Sequence, residues 1–353
     1  MSRMRFRVRS ACRGAMVFRF LPLMAVAFSS VTAMAGEVVT LKPTAMRYGD
    51  SSRRGVPFAK DPTVIRQDGR YLMYYSIRSA TPTAVPWMKA RDPRQVWHSG
   101  IAESEDLVHW KRVADVDVRT LTGERLVGVV APCVKKIEGK IHMFYQREWP
   151  KAGNNGVIWL ATSEDGLHFS NVGDEPVFIP RNSWSVARAI DAEVFRVGDE
   201  LVLLFATRDA PHAQIQMIGM ATAPYGSSYD ATCWKEITTS GPLLRPVKPW
   251  EQHCIEAPTV IRRKDTCYLF YAGAYNHERQ MIGLMTSTNG KDFTRVGDGL
   301  VLPCGAAGTW NAAESGHPGV FEDDDGRVYL FFQGKDCRDG DYILSCAEVI
   351  FRE

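Results

Sequence analysis

Three short segments of the chain open on a carboxylate and run at once into a β-branched or aromatic stretch. They are Asp61-Pro62-Thr63-Val64-Ile65, Asp191-Ala192-Glu193-Val194-Phe195 and Glu256-Ala257-Pro258-Thr259-Val260-Ile261. A carboxylate at the head of a buried strand is costly unless it is paired or put to use. Brought together, three of them crowd one another, so that one stays protonated near neutral pH while others remain ionised. An acid facing a base in this way is what cleavage of a glycosidic bond requires. One group protonates the leaving oxygen and the other acts on the opposite face of the sugar.

A repeat is what would position them. Each carboxylate segment leads through a Gly- or Asp-containing turn into an aromatic-rich strand. Tyr71 to Ser76 follows Asp68-Gly69, Leu201 to Phe205 follows Gly198-Asp199, and Cys267 to Tyr271 follows Lys264-Asp265. Two further copies lack the carboxylate: Ala131-Pro132-Cys133-Val134 before Ile141 to Tyr145, and His317-Pro318-Gly319-Val320-Phe321 before Val328 to Phe332. The starts fall at 61, 131, 191, 256 and 317. β-branched and aromatic residues favour strands, and Asp-Gly favours the tight hairpin turn. The strands are apolar on nearly every residue, as strands buried on both faces are. A third strand, a Ser/Asp/Gly turn and an aromatic recur at Ala102 to Trp110, Ala161 to Phe169 and Met285 to Phe293, with a weaker copy at Ala221 to Trp234.

Five units of four strands describe an all-β fold, a five-bladed β-propeller with four-stranded blades around a central channel. A β-sandwich of regular hairpins is the alternative. The last unit runs out after three strands, and Val38 to Leu41 is placed to supply the fourth and close the ring. In a propeller the innermost strands start at one mouth of the channel, so Asp61, Ala131, Asp191, Glu256 and His317 share a pocket. Glu193, Asp209 and Glu251 are competing carboxylates. Arg188 and Arg208 flank the third inner hairpin, placed to clamp a carboxylate or a sugar hydroxyl. Trp87, Trp184, Trp250 and Trp310 lie in loops beside inner strands, where aromatic faces can stack on sugars.

The N-terminus reads separately. Arg3, Arg5, Arg7, Arg9 and Arg13 precede an apolar run at Phe20 to Phe28 and an Ala33-Met34-Ala35 cleavage signal, which together make a signal peptide of residues 1–35 ahead of a catalytic propeller at 36–353. The apolar run is shorter than the ~20 residues of a membrane span. Export predicts a secreted or periplasmic protein. Without the six leader arginines, 37 basic residues face 40 acidic ones, a net −3 that gives no reason to invoke nucleic acid. Seven cysteines remain, an odd number, and Cys337 and Cys346 are spaced to pair across a hairpin. No C-x-x-C pair suggests zinc.

Asp-Pro-Thr-Val at residue 61, Ile190-Asp191, Glu256-x-Pro-Thr-Val and Gly316-His317, in that order, resemble the five-bladed propeller hydrolases of glycoside hydrolase family 43. They are also similar to the related invertases and levanases of family 32. The resemblance implies Asp61 as general base, Asp191 as the residue that orients and tunes the acid, and Glu256 as general acid. It also implies that His317 is the axial histidine, which in some members lies near a calcium ion or a water cluster; no cofactor is required. Against family 32, Lys60 precedes Asp61, and Ile190-Asp191-Ala192 and Glu256-Ala257 replace its Arg-Asp-Pro and Glu-Cys. Family 43 fits better, with Ala257 where a Gly is usual. That implies inversion at a furanoside or pentopyranoside such as an arabinofuranoside or xyloside of plant or algal glycans, with an oligosaccharide or polysaccharide as the only partner expected. The alternatives are a propeller phosphorylase, which needs a cationic cluster for phosphate, a sialidase, whose arginine triad and Tyr-Glu pair are not placed in this sequence, and a non-catalytic sugar-binding propeller.

Overall fold

The computed structural model describes residues 38–53, 55–78, 97–153 and 155–352. The leader, Trp87 and the segment 80–93 lie outside them. Five sheets stand around an axis. The first blade is β2 (Lys60–Gln67), β3 (Arg70–Arg78), β4 (Trp97–Ser104) and β5 (Lys111–Asp115). The second is β7 (Val130–Ile137), β8 (Lys140–Trp149), β9 (Asn155–Ser163) and β10 (His168–Asn171), with the short β6 (Asp117–Arg119) added parallel to β10. The third is β11 (Ile190–Val197), β12 (Glu200–Arg208), β13 (Gln216–Pro224) and β14 (Lys235–Glu236). The fourth is β15 (Ile255–Arg263), β16 (Thr266–Gly273), β17 (Met281–Ser287) and β18 (Thr294–Leu302).

The fifth blade closes the ring as its missing strand demanded. After β19 (Glu314–Glu322), β20 (Val328–Lys335) and β21 (Ile343–Phe351), the outer strand is β1 (Val39–Tyr48), which pairs antiparallel with β21 from Val39↔Phe351 to Tyr48↔Leu344. The inner strands β2, β7, β11, β15 and β19 each contact the next around the axis, and β19 returns to β2.

The core lies between blades. Leu72, Tyr74, Met143 and Tyr145 fill the first junction, Phe144, Leu203 and Phe205 the second, and Leu204, Leu269 and Tyr271 the third. Full burial of each such side chain stabilises by roughly 1.5–3 kcal/mol, provided each phenol finds a partner. Tyr74 donates to the carbonyl of Gly166 (2.8 Å) and Tyr145 to Asn171 Oδ1 (2.9 Å). Gly166 belongs to the recurring Ser/Asp/Gly turn, in which Ser163 Oγ accepts from Gly166 N and Asp165 Oδ1 from Leu167 N and His168 N. That motif knits blades together. The seven cysteines are all thiols; Cys346 is buried on β21 and Cys337 exposed, so the hairpin pairing anticipated for them does not form.

One local device repeats five times and sets up the site. Each inner strand slips register near its start, between Lys60 and Thr63, Val130 and Cys133, Ile190 and Glu193, Glu256 and Thr259, and Gly316 and Gly319. In each bulge one residue takes left-handed backbone: Asp61 (φ 52°), Ala131 (45°), Asp191 (50°), Ala257 (48°) and His317 (43°). Such a residue without a glycine's freedom costs about 1–2 kcal/mol. Five in register point to a functional demand on the backbone. The repeat also corrects one alignment. Ala257, not Glu256, is the equivalent of Asp61, Asp191 and His317, and Glu256 occupies the position just before the bulge, with Lys60, Val130, Ile190 and Gly316.

Candidate active site

The bulges deliver two rings of side chains at one mouth of the channel. Lys60, Val130, Ile190 and Glu256 from the pre-bulge ring join Asp61, Asp191 and His317 from the left-handed ring. With Trp97, Gln146 and Asn276 they line a pocket of about 220 Å³. Below it Asp61, Ala131, Asp191, Ala257 and His317 narrow the axial channel. Close approach on the axis is why residue 319 is glycine: a Cβ there would lie 2.1 Å from the carbonyl oxygen of Pro62.

His317 organises the carboxylates. Its Nδ1 lies 2.8 Å from Asp61 Oδ1 and its Nε2 lies 3.0 Å from Glu256 Oε1, with the ring only 6% exposed. Burial disfavours charge on the ring, but these two carboxylates raise its pKa well above the usual histidine value, so it stands as an imidazolium. Burial works against Asp61 too, yet Lys60, whose Nζ is 3.7 Å from Asp61 Oδ1, and His317 hold that carboxyl far below its ordinary range.

Glu256 is the most heavily supported of the three. Its Oε1 accepts from Asn276 Nδ2 (2.8 Å) and Gln280 Nε2 (2.7 Å), and its Oε2 from Gln216 Nε2. Against the effect of burial, His317 above all lowers its pKa. Asp191 behaves oppositely. Burial, then the charges of Glu256 and Asp61, outweigh the pull of His317 and push its pKa up to about 7. Its Oδ2 is buried without a hydrogen-bond partner among the described residues. Oxygens of Asp191 and Glu256 and a nitrogen of His317 lie within 4.8 Å of one another. Crowding thus favours one proton in the cluster near neutrality, but on Asp191 and not on Glu256, the acid that the resemblance implies. The two carboxyls titrate as a pair.

Asp191, Glu256 and His317 alone do not make a calcium site. Calcium takes six to eight oxygen ligands, whereas this cluster offers two carboxylates and a ring whose nitrogens already face carboxylate oxygens. The imidazolium supplies the positive charge that a metal would.

The other anticipated residues separate clearly. Arg188 and Arg208 sit just behind Glu256: Arg188 Nη1 (2.6 Å) and Arg208 Nε (3.2 Å) both donate to Gln216 Oε1. Trp184, Trp250 and Trp310 are not among the pocket's lining residues. Trp184 donates to the carbonyl of Thr238 (2.6 Å), Trp250 stacks on Tyr271 at 5.7 Å, and Trp310 takes Arg47 over its face at 4.3 Å. All three are spent on packing. The competing carboxylates are spent as well. Glu193 binds Lys135 (2.9 Å), Asp209 caps the amides of Gln214 and Ile215, and Glu251 pairs with Arg295 (2.7 Å).

Six pocket residues carried no role in the sequence reading, of which Val130 and Ile190 are apolar lining. Lys60 drew notice only as a departure from a pattern. Its Nζ binds Asn276 Oδ1 at 2.7 Å and lies over the rings of Trp97 and Tyr342. Gln146 accepts from the amide of Asp191 (3.3 Å), as Gln333 does from Asp61 (3.2 Å) and Ser76 Oγ from Ala131 (2.9 Å). A polar residue closing the aromatic strand one blade back is thus a repeated signal for the support of the bulge. Asn276 and Trp97 have no such local signature.

The chain matches the family of glycosyl hydrolases family 43 over residues 55–344. No curated protein sequence matches it with significance. Among solved structures it is similar to a thermostable family-43 glycoside hydrolase (17% identity, 87% of this chain and 94% of that one, TM-score 0.64). It is similar also to an exo-1,5-α-L-arabinanase from a bovine ruminal metagenomic library (16%, 84% and 95%, 0.57) and to an α-L-arabinofuranosidase from Lactobacillus brevis (16%, 84% and 91%, 0.59). At these identities the likeness concerns the propeller fold.

Proposed function

Because the chain belongs to glycosyl hydrolase family 43, and is therefore a glycoside hydrolase, we propose that it cleaves a furanoside or pentopyranoside with inversion, after export from the cell. In this reading Asp61 is the general base, Glu256 the general acid and Asp191 the residue that keeps a proton beside Glu256. The observation that carries it is the interposed imidazolium. Asp61 Oδ1 and Glu256 Oε1 contact opposite nitrogens of one ring, at 2.8 and 3.0 Å. A ring between them keeps the two carboxyl groups from meeting, which supports the wider ~6.5–9.5 Å spacing of inverting enzymes over the ~5–5.5 Å of retaining ones.

Asp61 takes a proton from water as the water oxygen attacks the anomeric carbon. The bond from that carbon to the leaving oxygen breaks, and Glu256 protonates the departing oxygen. Glu256 holds that proton only when the pair it forms with Asp191 is singly protonated. Lys60 and His317 keep Asp61 ionised throughout. The pocket of about 220 Å³ is smaller than the ~300–1,000 Å³ of sites for drug-sized ligands, which suits one sugar ring and exo action. The arabinanase and arabinofuranosidase among similar structures favour an arabinofuranoside. No helix among the described residues is long and apolar enough to cross a membrane.

The test is a panel of aryl glycosides (α-L-arabinofuranoside, β-D-xyloside, β-D-galactofuranoside and hexopyranosides), with the first-formed product anomer followed by proton NMR. Turnover of a pentoside giving the inverted anomer supports the reading. Turnover confined to hexopyranosides, or product of retained configuration, overturns it.

A further inference from the structure

We propose that Arg188 and Arg208 bind a carboxylate carried by the substrate, so that the natural substrate is an acidic, uronate-containing glycan. This rests on the reading of Glu256 as the acid. Two guanidinium groups converge on a single neutral atom, Gln216 Oε1. Neither makes an ion pair with a carboxylate among the described residues. Of the carboxylates around them, Asp209 Oδ1 is committed to the amides of Gln214 (2.7 Å) and Ile215 (2.6 Å) and Glu256 to Gln216, Gln280, Asn276 and His317, while Asp191 acts on Arg188 through its charge without forming an ion pair with it. Burial and then the like charge of Arg208 weigh against the Arg188 cation, and the charges of Asp191 and Glu256 offset them only in part. Two adjacent, partly buried cations sharing one carbonyl are under-compensated, and paired guanidinium forks match the geometry of a carboxylate.

Their position places that carboxylate near the acid. Gln216 is 1% exposed and spans the gap, its Nε2 on Glu256 Oε2 and its Oε1 on both arginines. The arginines therefore lie one amide beyond the acid. Both are half-buried, and Arg208 sits 5.5 Å over the ring of Tyr275, itself half-buried and stacked on the exposed His277. An aromatic face next to a cationic fork suits a uronate ring. A phosphate nucleophile would need its cations on the other face, with Asp61.

The experiment is calorimetric titration of the full protein with D-galacturonate and D-glucuronate, each against its methyl ester. The expected result is a free acid bound about tenfold or more tighter than its ester. That preference should fall to within about twofold in Arg208→Gln and return in part in Arg208→Lys. Equal binding of acid and ester, no binding of either, or a preference unchanged in Arg208→Gln overturns the proposal. Inorganic phosphate that merely competes with the uronate supports an anion site here, whereas phosphate-dependent release of a sugar phosphate overturns it. Neutral aryl glycosides are scored separately on the unaltered protein. Turnover without acid preference sinks this inference alone, and acid preference without turnover of a pentoside sinks the proposed sugar class instead.

Discussion

Replacing Lys60 with methionine isolates the charge that sets the base. Lys60 Nζ lies 3.7 Å from Asp61 Oδ1, and both side chains are mostly buried, at 13% and 11% exposure. At an effective dielectric of ~20, unit charges at that distance attract by about 4–5 kcal/mol. With ~1.4 kcal/mol per pKa unit, the ceiling on the shift is about three units. His317 keeps its own contact with Asp61, and water entering beside methionine screens the rest, so about 1–3 units is expected. The sign follows from which form the cation favours. Lys60 stabilises the ionised carboxylate, so its loss raises the Asp61 pKa, and the base becomes protonated at a higher pH. In the wild type the kcat/KM profile should stay flat on its acid side to below pH ~4, the ordinary aspartate value. In Lys60→Met the acid limb should move up by those 1–3 units, while Lys60→Arg, which keeps the charge, should leave it near its original place. An acid limb within about 0.3 unit of wild type in Lys60→Met would refute the argument: either Asp61 is not the base or Lys60 does not hold it ionised.

Other outcomes follow from the same structure. The alkaline limb of kcat/KM should fall near pH 7, where the shared proton leaves Asp191, and Asp191→Asn should displace that limb toward acid, because removing a negative neighbour makes the Glu256 proton easier to lose; a limb that stays put contradicts the pairing. Glu251, fully buried, holds Arg295, the Tyr271 hydroxyl (2.7 Å) and the amides of Val247 and Lys248; Glu251→Ala should cost about 3–5 kcal/mol in denaturant unfolding. Ala257→Gly should stabilise by about 0.5–1 kcal/mol, since it relieves about 1–2 kcal/mol at φ 48° and gives back part of that as unfolded-chain freedom; a loss of stability would show that the Ala257 methyl is needed in the channel. Chelation with EDTA should leave turnover unchanged, because His317 supplies the central cation.

Much of this molecule is written locally. Strand, turn and strand recur with enough regularity that the five blades, their inner strands and the closing role of the N-terminal strand follow from residue type alone. The site is legible to the extent that it rides on the repeat. Asp61, Asp191 and His317 converge because they share one bulge position. Glu256 converges from the neighbouring position, and the offset was visible in the sequence: Pro258 aligns with Pro62, so Ala257 aligns with Asp61. What escaped depends on contacts between blades. Trp184, Trp250 and Trp310 have the composition of sugar platforms, but Trp184 is tied by its N–H to the carbonyl of Thr238 and the faces of Trp250 and Trp310 take Tyr271 and Arg47, partners that no local pattern gives. Asn276 touches Lys60, Glu256 and His317, which come from three blades. No local pattern encodes such a meeting. Nor does composition say which of three crowded carboxyls keeps the proton. That depends on His317 lying nearest Asp61 and Glu256 and leaving Asp191 less compensated.

The central claim, that Asp61 and Glu256 divide the work of base and acid, is tested most directly by comparing Asp61→Asn and Glu256→Gln on one sugar with two leaving groups. One leaving group is an activated aryl and the other an unactivated alcohol. The account predicts that Asp61→Asn loses roughly 10²–10⁴-fold or more in kcat/KM on both substrates. Glu256→Gln should lose a comparable factor on the alcohol but far less on the aryl glycoside, whose departure scarcely needs a proton. Equal losses on the two leaving groups in Glu256→Gln, or turnover in Asp61→Asn close to wild type, would contradict it.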